Sequence, residues 1–511
     1  LFLVPLDNER RWYRYHHLFA ELLKQRLQQK NIQSIEAKNK NIHELHIRAS
    51  KWYEANDLLN EALQHALIAN DFDRMSDLLE LLWPIMDGNY QYSKWLDWVQ
   101  MIPEELIHIR PVLSTGYAWA LLDSGKIEAA EVRLRDAEKW LDKVIDIDNP
   151  DEILPDGMVV RDNDQFQNLP ATIAIARAYQ SQALGDGAST EKHASRALEL
   201  LPKDNYVDRG KAAALLGLVH WMNGDLESVH QSFTEVMASF QMAGNAVYAM
   251  DVAFTLADIR MSQGRLNDAL RTYEKSLKIA MEAGDPIPPG TANLYVGLSG
   301  ICSEWGDLKT AAQHLQTCRD LGEQATVPGL NYRWWVAQAR IKEVEGDFES
   351  ALNSLVEAER QYVRTPVPDV RPFKALKARM WIAQGKVHKA INWVREQNLT
   401  VGDEHSYLSE FEHITLARVL IAKYKRDNES QSLIEVNKFL DRLLISADEG
   451  RRMLSVLEIL ILKALNFELQ DNTPLALVSL EHALKLAEPE GFVRIFVDEG
   501  VPMARLLSKA I

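Results

Sequence analysis

Apolar residues recur along most of the chain at helical rather than strand spacing, and glycines punctuate the helical stretches at a near-constant interval. Seven of them, Gly125, Gly185, Gly224, Gly264, Gly306, Gly346 and Gly385, lie 39 to 42 residues apart after a first gap of 60. A period between about 20 and 50 residues marks an array of stacked supersecondary units. The neighbours of each glycine repeat as well. Seven residues earlier stand Ala118, Ala178, Gly217, Ala257, Ser299, Ala339 and Ala378, all small. Five residues later come Ala130, Val229, Ala269, Ala311, Ala351 and Ala390, and nine later Leu134, Phe233, Tyr273, Leu315, Leu355 and Val394, with only the Gly185 unit out of step. Small residues let two helix axes approach, the glycine supplies the backbone where the first helix ends, and the large residue fills the groove against the next unit. The pattern predicts helix hairpins.

The small residue, the turn glycine followed by Asp or Lys, the alanine and the large or aromatic residue resemble the tetratricopeptide repeat, with longer helices because the period is near 40. The fold class is therefore all-α, a tetratricopeptide-like helix-hairpin superhelix, expected to be right-handed with a concave inner wall. Weaker units are expected near Asp427 and near Asn472, where Asp or Asn replaces the glycine, and one more ends near Asn70. The stretch from Asp142 to Asp164 carries eight acidic and two basic residues and is read as an inserted loop that explains the long first gap. At the N-terminus LFLVP, a polar Asp7-Asn8-Glu9 and RRWYRY read as a β-hairpin, followed by a helix through Leu22, Leu23 and Leu27. With Arg10, Arg11 and Arg14 it fits the wing of a winged-helix element or, equally, a basic solvated hairpin.

Composition narrows the function classes. Apolar residues make up 47% and charged residues 25%, so most of the chain folds. The 57 Lys plus Arg against 73 Asp plus Glu give a net charge of −16, a poor match to a phosphate backbone. The basic residues concentrate in residues 1–51, with ten against five acidic. Two cysteines, Cys302 and Cys318, exclude a disulfide framework and point to a reducing, cytoplasmic setting. No apolar run is long enough to span a bilayer. Walker A, GxSxG, HExxH, CxxC and EF-hand spacings are absent, so no catalytic residues, no metal site and no enzyme activity are assigned. His43 and His46 share a helical face but lack a third ligand, and both cysteines read as packing residues.

Three segments carry a further resemblance. LFLVPLDNERRWYRYHHLFAELLKQRL at residues 1–27, HIRASKWYEANDLLNEALQH at 46–65 and EPEGFVRIFVDEGVPMARLLSKA at 488–510 are similar to the MalT-type large ATP-binding regulators of the LuxR family. The resemblance implies the end of a winged-helix part over 1–35, a helical connecting region over 36–110, the repeat superhelix over 111–488 and, from 489 to 511, a segment leading to a helix-turn-helix domain. The chain opens on Leu1 without a basic leader and reads as part of a longer bacterial polypeptide. The implied parent regulates transcription, oligomerises with ATP through an N-terminal module and binds DNA through a C-terminal one. Neither module lies in this chain, which needs no cofactor of its own. What remains is the part that senses an inducer, a small molecule such as a sugar, and relays the signal.

If the first helix of each unit lines the concave wall, positions thirteen, ten, six and three before the glycine face inward. This selects Tyr179, Trp221, Asp251, Asp258, Asn293, Gly300, Arg333 and Arg340 as ligand-lining residues, aromatic walls beside a few convergent polar groups. Lys211 and Arg379 fall in the same rows. The alternative is that these charges solvate an open groove and pair with one another, Asp258 with Arg340 across units, and that the array is a scaffold for protein partners. Trp334-Trp335 reads as core rather than as a stacking platform.

Overall fold

The computed structural model of the chain describes residues 3–5, 13–15, 17–29, 35–142, 155, 157–282, 284, 287–322, 327, 331–404, 406–427 and 431–510. Leu3–Pro5 pairs antiparallel with Tyr13–Tyr15, and a helix runs over His17–Gln29. Residues 6–12, with Arg10 and Arg11, lie outside the described residues, as does most of the acidic stretch after Asp142.

The remaining described residues are mainly helical. Ile35–Glu54 pairs with Leu59–Ala69, and Phe72–Asp87, Tyr92–Val99 and Glu104–His108 lead into the repeats. Pro111–Asp123 with Ile127–Leu141 forms the hairpin of Gly125, and Leu169–Ala183 with Gly187–Leu200 that of Gly185. Tyr206–Met222 and Leu226–Met242 flank Gly224, while Ala246–Ser262 and Leu266–Glu282 flank Gly264. Thr291–Trp305 with Leu308–Asp320, Asn331–Val344 with Phe348–Arg360, and Phe373–Ala383 with Val387–Glu396 form the next three units. Tyr407–Asp427 with Gln431–Glu449, and Met453–Leu469 with Thr473–Ala487, complete the array, and Arg494–Val497 and Val501–Ala510 end it.

The turn chemistry explains why the chain reverses where it does. All seven turn glycines have positive φ, from 72° to 84°, a conformation that a Cβ disfavours. In four units an aspartate follows and caps the second helix: Asp186, Asp225, Asp307 and Asp347 accept from the backbone N–H of Ser189, Ser228, Thr310 and Ser350 at 3.0 to 3.1 Å. The weaker units use other residues. Asp471 takes the left-handed position at φ 56°, and Asn472, expected there, caps the next helix instead. Asn70 adopts φ 52° at the end of Leu59–Ala69. Asp427 ends its helix, and the three residues after it lie outside the described ones.

The small residues before the glycines are fully enclosed, Ala118, Ala178, Ala257, Ser299 and Ala378 at 0% exposure. A Cβ on Gly217 would stand 2.8 Å from the Phe233 ring, so the pairing of a small residue with a large one is a physical contact. The Gly185 unit is not out of step in space: Thr190 and Ala194 occupy its two later positions, both at 0% exposure. Apolar residues from Ala62 to Ile301 form one continuous core, which joins the connecting helices to the first repeats. A second core runs from Ile414 to Leu506 and includes Leu266. The coil then closes on itself. A Cβ on Gly125 would meet Val363 at 2.8 Å, one on Gly224 would meet Tyr407 at 2.8 Å, and one on Gly264 would meet Met453 at 2.9 Å. The glycines therefore also allow distant repeats to touch.

Candidate functional site: the inner wall

Several residues of the predicted inward rows meet residues of helices outside the repeats. Lys211 donates to Asp87 at 2.7 Å, and Tyr248 donates to the same carboxylate oxygen at 2.9 Å. The Lys211 ammonium also sits 4.9 Å from the Tyr248 ring centre and 5.6 Å from that of Trp119. Tyr90 donates to Asp251 at 3.3 Å and meets Tyr248 edge-on at 5.8 Å. Tyr179 packs edge-on against Trp119 at 5.7 Å and hydrogen-bonds Asp123. Tyr90 reaches this position from a left-handed turn at φ 52°, a costly conformation for an aromatic residue.

Burial and the neighbouring charge of Asp87 push the Asp123 carboxyl up to about 8, against the pull of Lys211 and the Tyr179 hydrogen bond. Burial raises Asp251 as well, opposed by Arg333. Neither carboxylate is in an ion pair among the described residues. Asp87 and Lys211 still keep 16% and 21% of their side-chain surface, so solvent reaches this part of the wall.

Further along, Arg333 binds Asp258 at 2.7 Å and lies 4.5 Å from the Phe254 ring centre. The expected pairing of Asp258 with Arg340 is therefore incorrect. Arg333, thirteen before its glycine, reaches Asp258, whereas Arg340 turns to Glu343 at 3.1 Å, Glu304 at 4.0 Å and Asp498. Arg379 and Arg418 converge on Glu458 at 2.8 and 2.7 Å, and Arg418 also binds Glu499 at 2.5 Å. Burial opposes ionisation of Glu458, yet the two arginines hold its carboxyl down at about 2.

The other predicted residues divide. Trp221 is 3% exposed and donates to the Tyr407 hydroxyl at 3.2 Å, so it joins two turns of the coil rather than lining open space. Asn293 is 2% exposed and its Nδ2 has no acceptor among the described residues. Gly300 is half-buried, with space for a Cβ 3.7 Å from Met261. Tyr179, Asp251, Asp258, Arg333 and Arg340 remain partly accessible.

Sequence reasoning missed Asp87, Tyr90, Asp123 and Tyr248. Tyr248 lies one helical turn before the row of Lys211 and Asp251, so a longer periodic search would have found it. Asp87 and Tyr90 come from outside the repeat register and carry no such signal. His46 meets His65 rather than His43, their Nδ1 atoms 2.7 Å apart. No cluster of three or more metal-ligating side chains occurs among the described residues, and no helix there is long and apolar enough to cross a membrane. Cys302 and Cys318 are buried and unbonded in one small core.

The family profile described as the MalT-like TPR region matches residues 171–511, and that of the MalT winged helix domain matches residues 1–35. The HTH-type transcriptional regulator MalT of Serratia proteamaculans (strain 568) is 25% identical over 531 residues, covering 100% of this chain and 53% of its own length. The regulator of the same name from Yersinia enterocolitica (serotype O:8 / biotype 1B) is 25% identical over 525 residues with the same coverage. The chain thus spans about half the length of the curated relatives it matches. Among solved structures, a Rap protein complexed with Competence and Sporulation Factor is similar in fold, with a TM-score of 0.50 and 10% identity over 74% of this chain and 98% of that one.

Proposed function

This chain belongs to the MalT-like TPR family, and from that premise we propose that it is the inducer-sensing, signal-relaying repeat module of a bacterial ATP-dependent LuxR-family transcription regulator. In this reading the parent protein supplies ATP binding, self-association and DNA binding through parts outside the chain. The inner wall takes the inducer, a small polyhydroxylated molecule such as a sugar. One observation carries this: Asp123 and Asp251, neither of them ion-paired, stand among Tyr90, Tyr179, Tyr248 and Trp119 on a wall that solvent still reaches. Carboxyl oxygens accept from hydroxyl donors while aromatic faces cover the apolar side of a sugar ring.

The test is thermal unfolding of the chain against a panel of sugars and common metabolites. A ligand at 100 times its dissociation constant stabilises by roughly 2.7 kcal/mol, which gives a visible shift. The reading requires a shift that Asp251→Asn abolishes. A second reading, a tetratricopeptide-like protein-interaction scaffold without a small-molecule ligand, is favoured by the large apolar side chains exposed on the outer helices, Val356, Ile434, Ile445 and Val478 at 55 to 63%. If no compound shifts the transition, the scaffold replaces the sensor.

A further inference from the structure

The helix Asn331–Val344 carries two consecutive tryptophans, and consecutive helical residues point about 100° apart, so both cannot enter one core. Trp334 donates its indole N–H to the Leu315 carbonyl at 3.0 Å and lies under the Arg319 guanidinium, 4.2 Å from its ring centre. Trp335 stands edge-on to Trp334, ring centres 5.0 Å apart at 89°, and its own N–H has no acceptor among the described residues. Both indoles are half-buried. They form the corner of a cleft of about 410 Å³ between the helices Leu308–Asp320 and Phe348–Arg360, on the side of their helix away from Arg333 and Arg340.

The charged groups of this cleft are both cationic, Arg319 and Lys342, and its remaining polar side chains are the neutral Gln316, Gln338, Ser350 and Ser354. Arg319, Lys342, Gln338 and the Trp335 N–H supply donors, and no carboxylate lines it. Lys342 is engaged with Glu345 at 2.7 Å, but Arg319 makes no ion pair among the described residues, in a chain of net charge −16. A guanidinium stacked on an indole is oriented at little entropic cost and keeps its N–H fork free for a planar anion. The cavity falls within the range of roughly 300 to 1,000 Å³ usual for small-molecule sites.

We propose that this outer cleft binds a small organic anion with a planar apolar body, an arylcarboxylate by class. The carboxylate accepts from Arg319, the ring lies against the Trp335 face, and Gln338 and the Trp335 N–H offer further donors. The site is separate from the inner wall and does not depend on the inducer reading.

Calorimetric titration of the whole chain with 2-naphthoate, and with neutral 2-naphthamide of the same shape, tests it. Naphthoate binds saturably, naphthamide binds at least about tenfold more weakly, and Arg319→Gln costs naphthoate about tenfold. Arg319 is exposed, so this variant keeps the wild-type circular dichroism and melting curve. Trp335→Leu weakens both compounds. Failure of naphthoate to saturate at millimolar concentration overturns the proposal. So does equal affinity for the amide, or unchanged binding by Arg319→Gln.

Discussion

The indole N–H of Trp305 donates to the carbonyl oxygen of Glu490 at 2.9 Å, joining the end of one repeat's first helix to a segment 185 residues further along. The junction is reinforced around it. Val493 N–H donates to the Glu304 carbonyl at 3.1 Å, Asn267 N–H to the Glu490 carboxylate at 2.8 Å, and Arg340 pairs with Asp498. Arg340 through Asp498 and Arg418 through Glu499 thus also tie the repeats to the C-terminal segment. Trp305→Phe removes one hydrogen bond, worth about 1 kcal/mol net, and should speed exchange of the Val501–Ala510 amides about fivefold. Hydrogen exchange read by mass spectrometry checks this, with the Pro111–Asp123 helix unchanged as the internal reference.

A close contact between repeats sets the second expectation. A Cβ on Gly297 would stand 2.1 Å from Cζ of Tyr273, which is itself at 0% exposure. Replacing a helical glycine by alanine ordinarily stabilises by about 0.5 to 1 kcal/mol, but overpacking costs about 1 to 3 kcal/mol. Overpacking wins, so Gly297→Ala should lower the urea midpoint. Adding Tyr273→Leu should recover part of the loss, and strictly additive effects would disprove the contact as the cause.

The protonation of Asp123 makes stability depend on pH in a stated direction. Its folded pKa of about 8 lies above its unfolded value, so the folded state binds more protons and stability falls as pH rises between the two. Asp123→Asn removes the ionisable group. The variant should exceed the wild type in denaturation midpoint most at pH 8 and by less at pH 5, and a constant difference across this range would contradict the assignment.

His46 and His65 act in the opposite sense. Burial lowers both pKa values, and the charge of His46 lowers that of His65 further. A depressed imidazole pKa gives stability that is present above the ordinary histidine value and is lost as pH falls below it. At acid pH both rings charge, and their Nδ1 atoms, 2.7 Å apart, repel. Helix Leu59–Ala69 should lose exchange protection between pH 7 and 5, and His46→Gln should weaken that loss.

The sequence by itself determined the repeat. Glycine at positive φ and aspartate capping the next helix are local properties of the backbone, and the small residue seven before each glycine is a requirement of helix packing that recurs in every unit. Hairpin positions were therefore legible from spacing, and the Gly185 unit read as out of step at its two later positions only because Thr190 and Ala194 stand there, both buried, in place of the usual small and large apolar residues. Tertiary structure decided which inward residues meet. Asp87 and Tyr90 enter from the connecting helices, Arg333 rather than Arg340 takes Asp258, and Trp221 is covered by Tyr407 from a later turn of the coil. Periodicity fixes the face a residue occupies, but not which distant repeat the superhelix brings opposite to it. That depends on the accumulated rotation of every unit between them, and no short stretch of sequence records it.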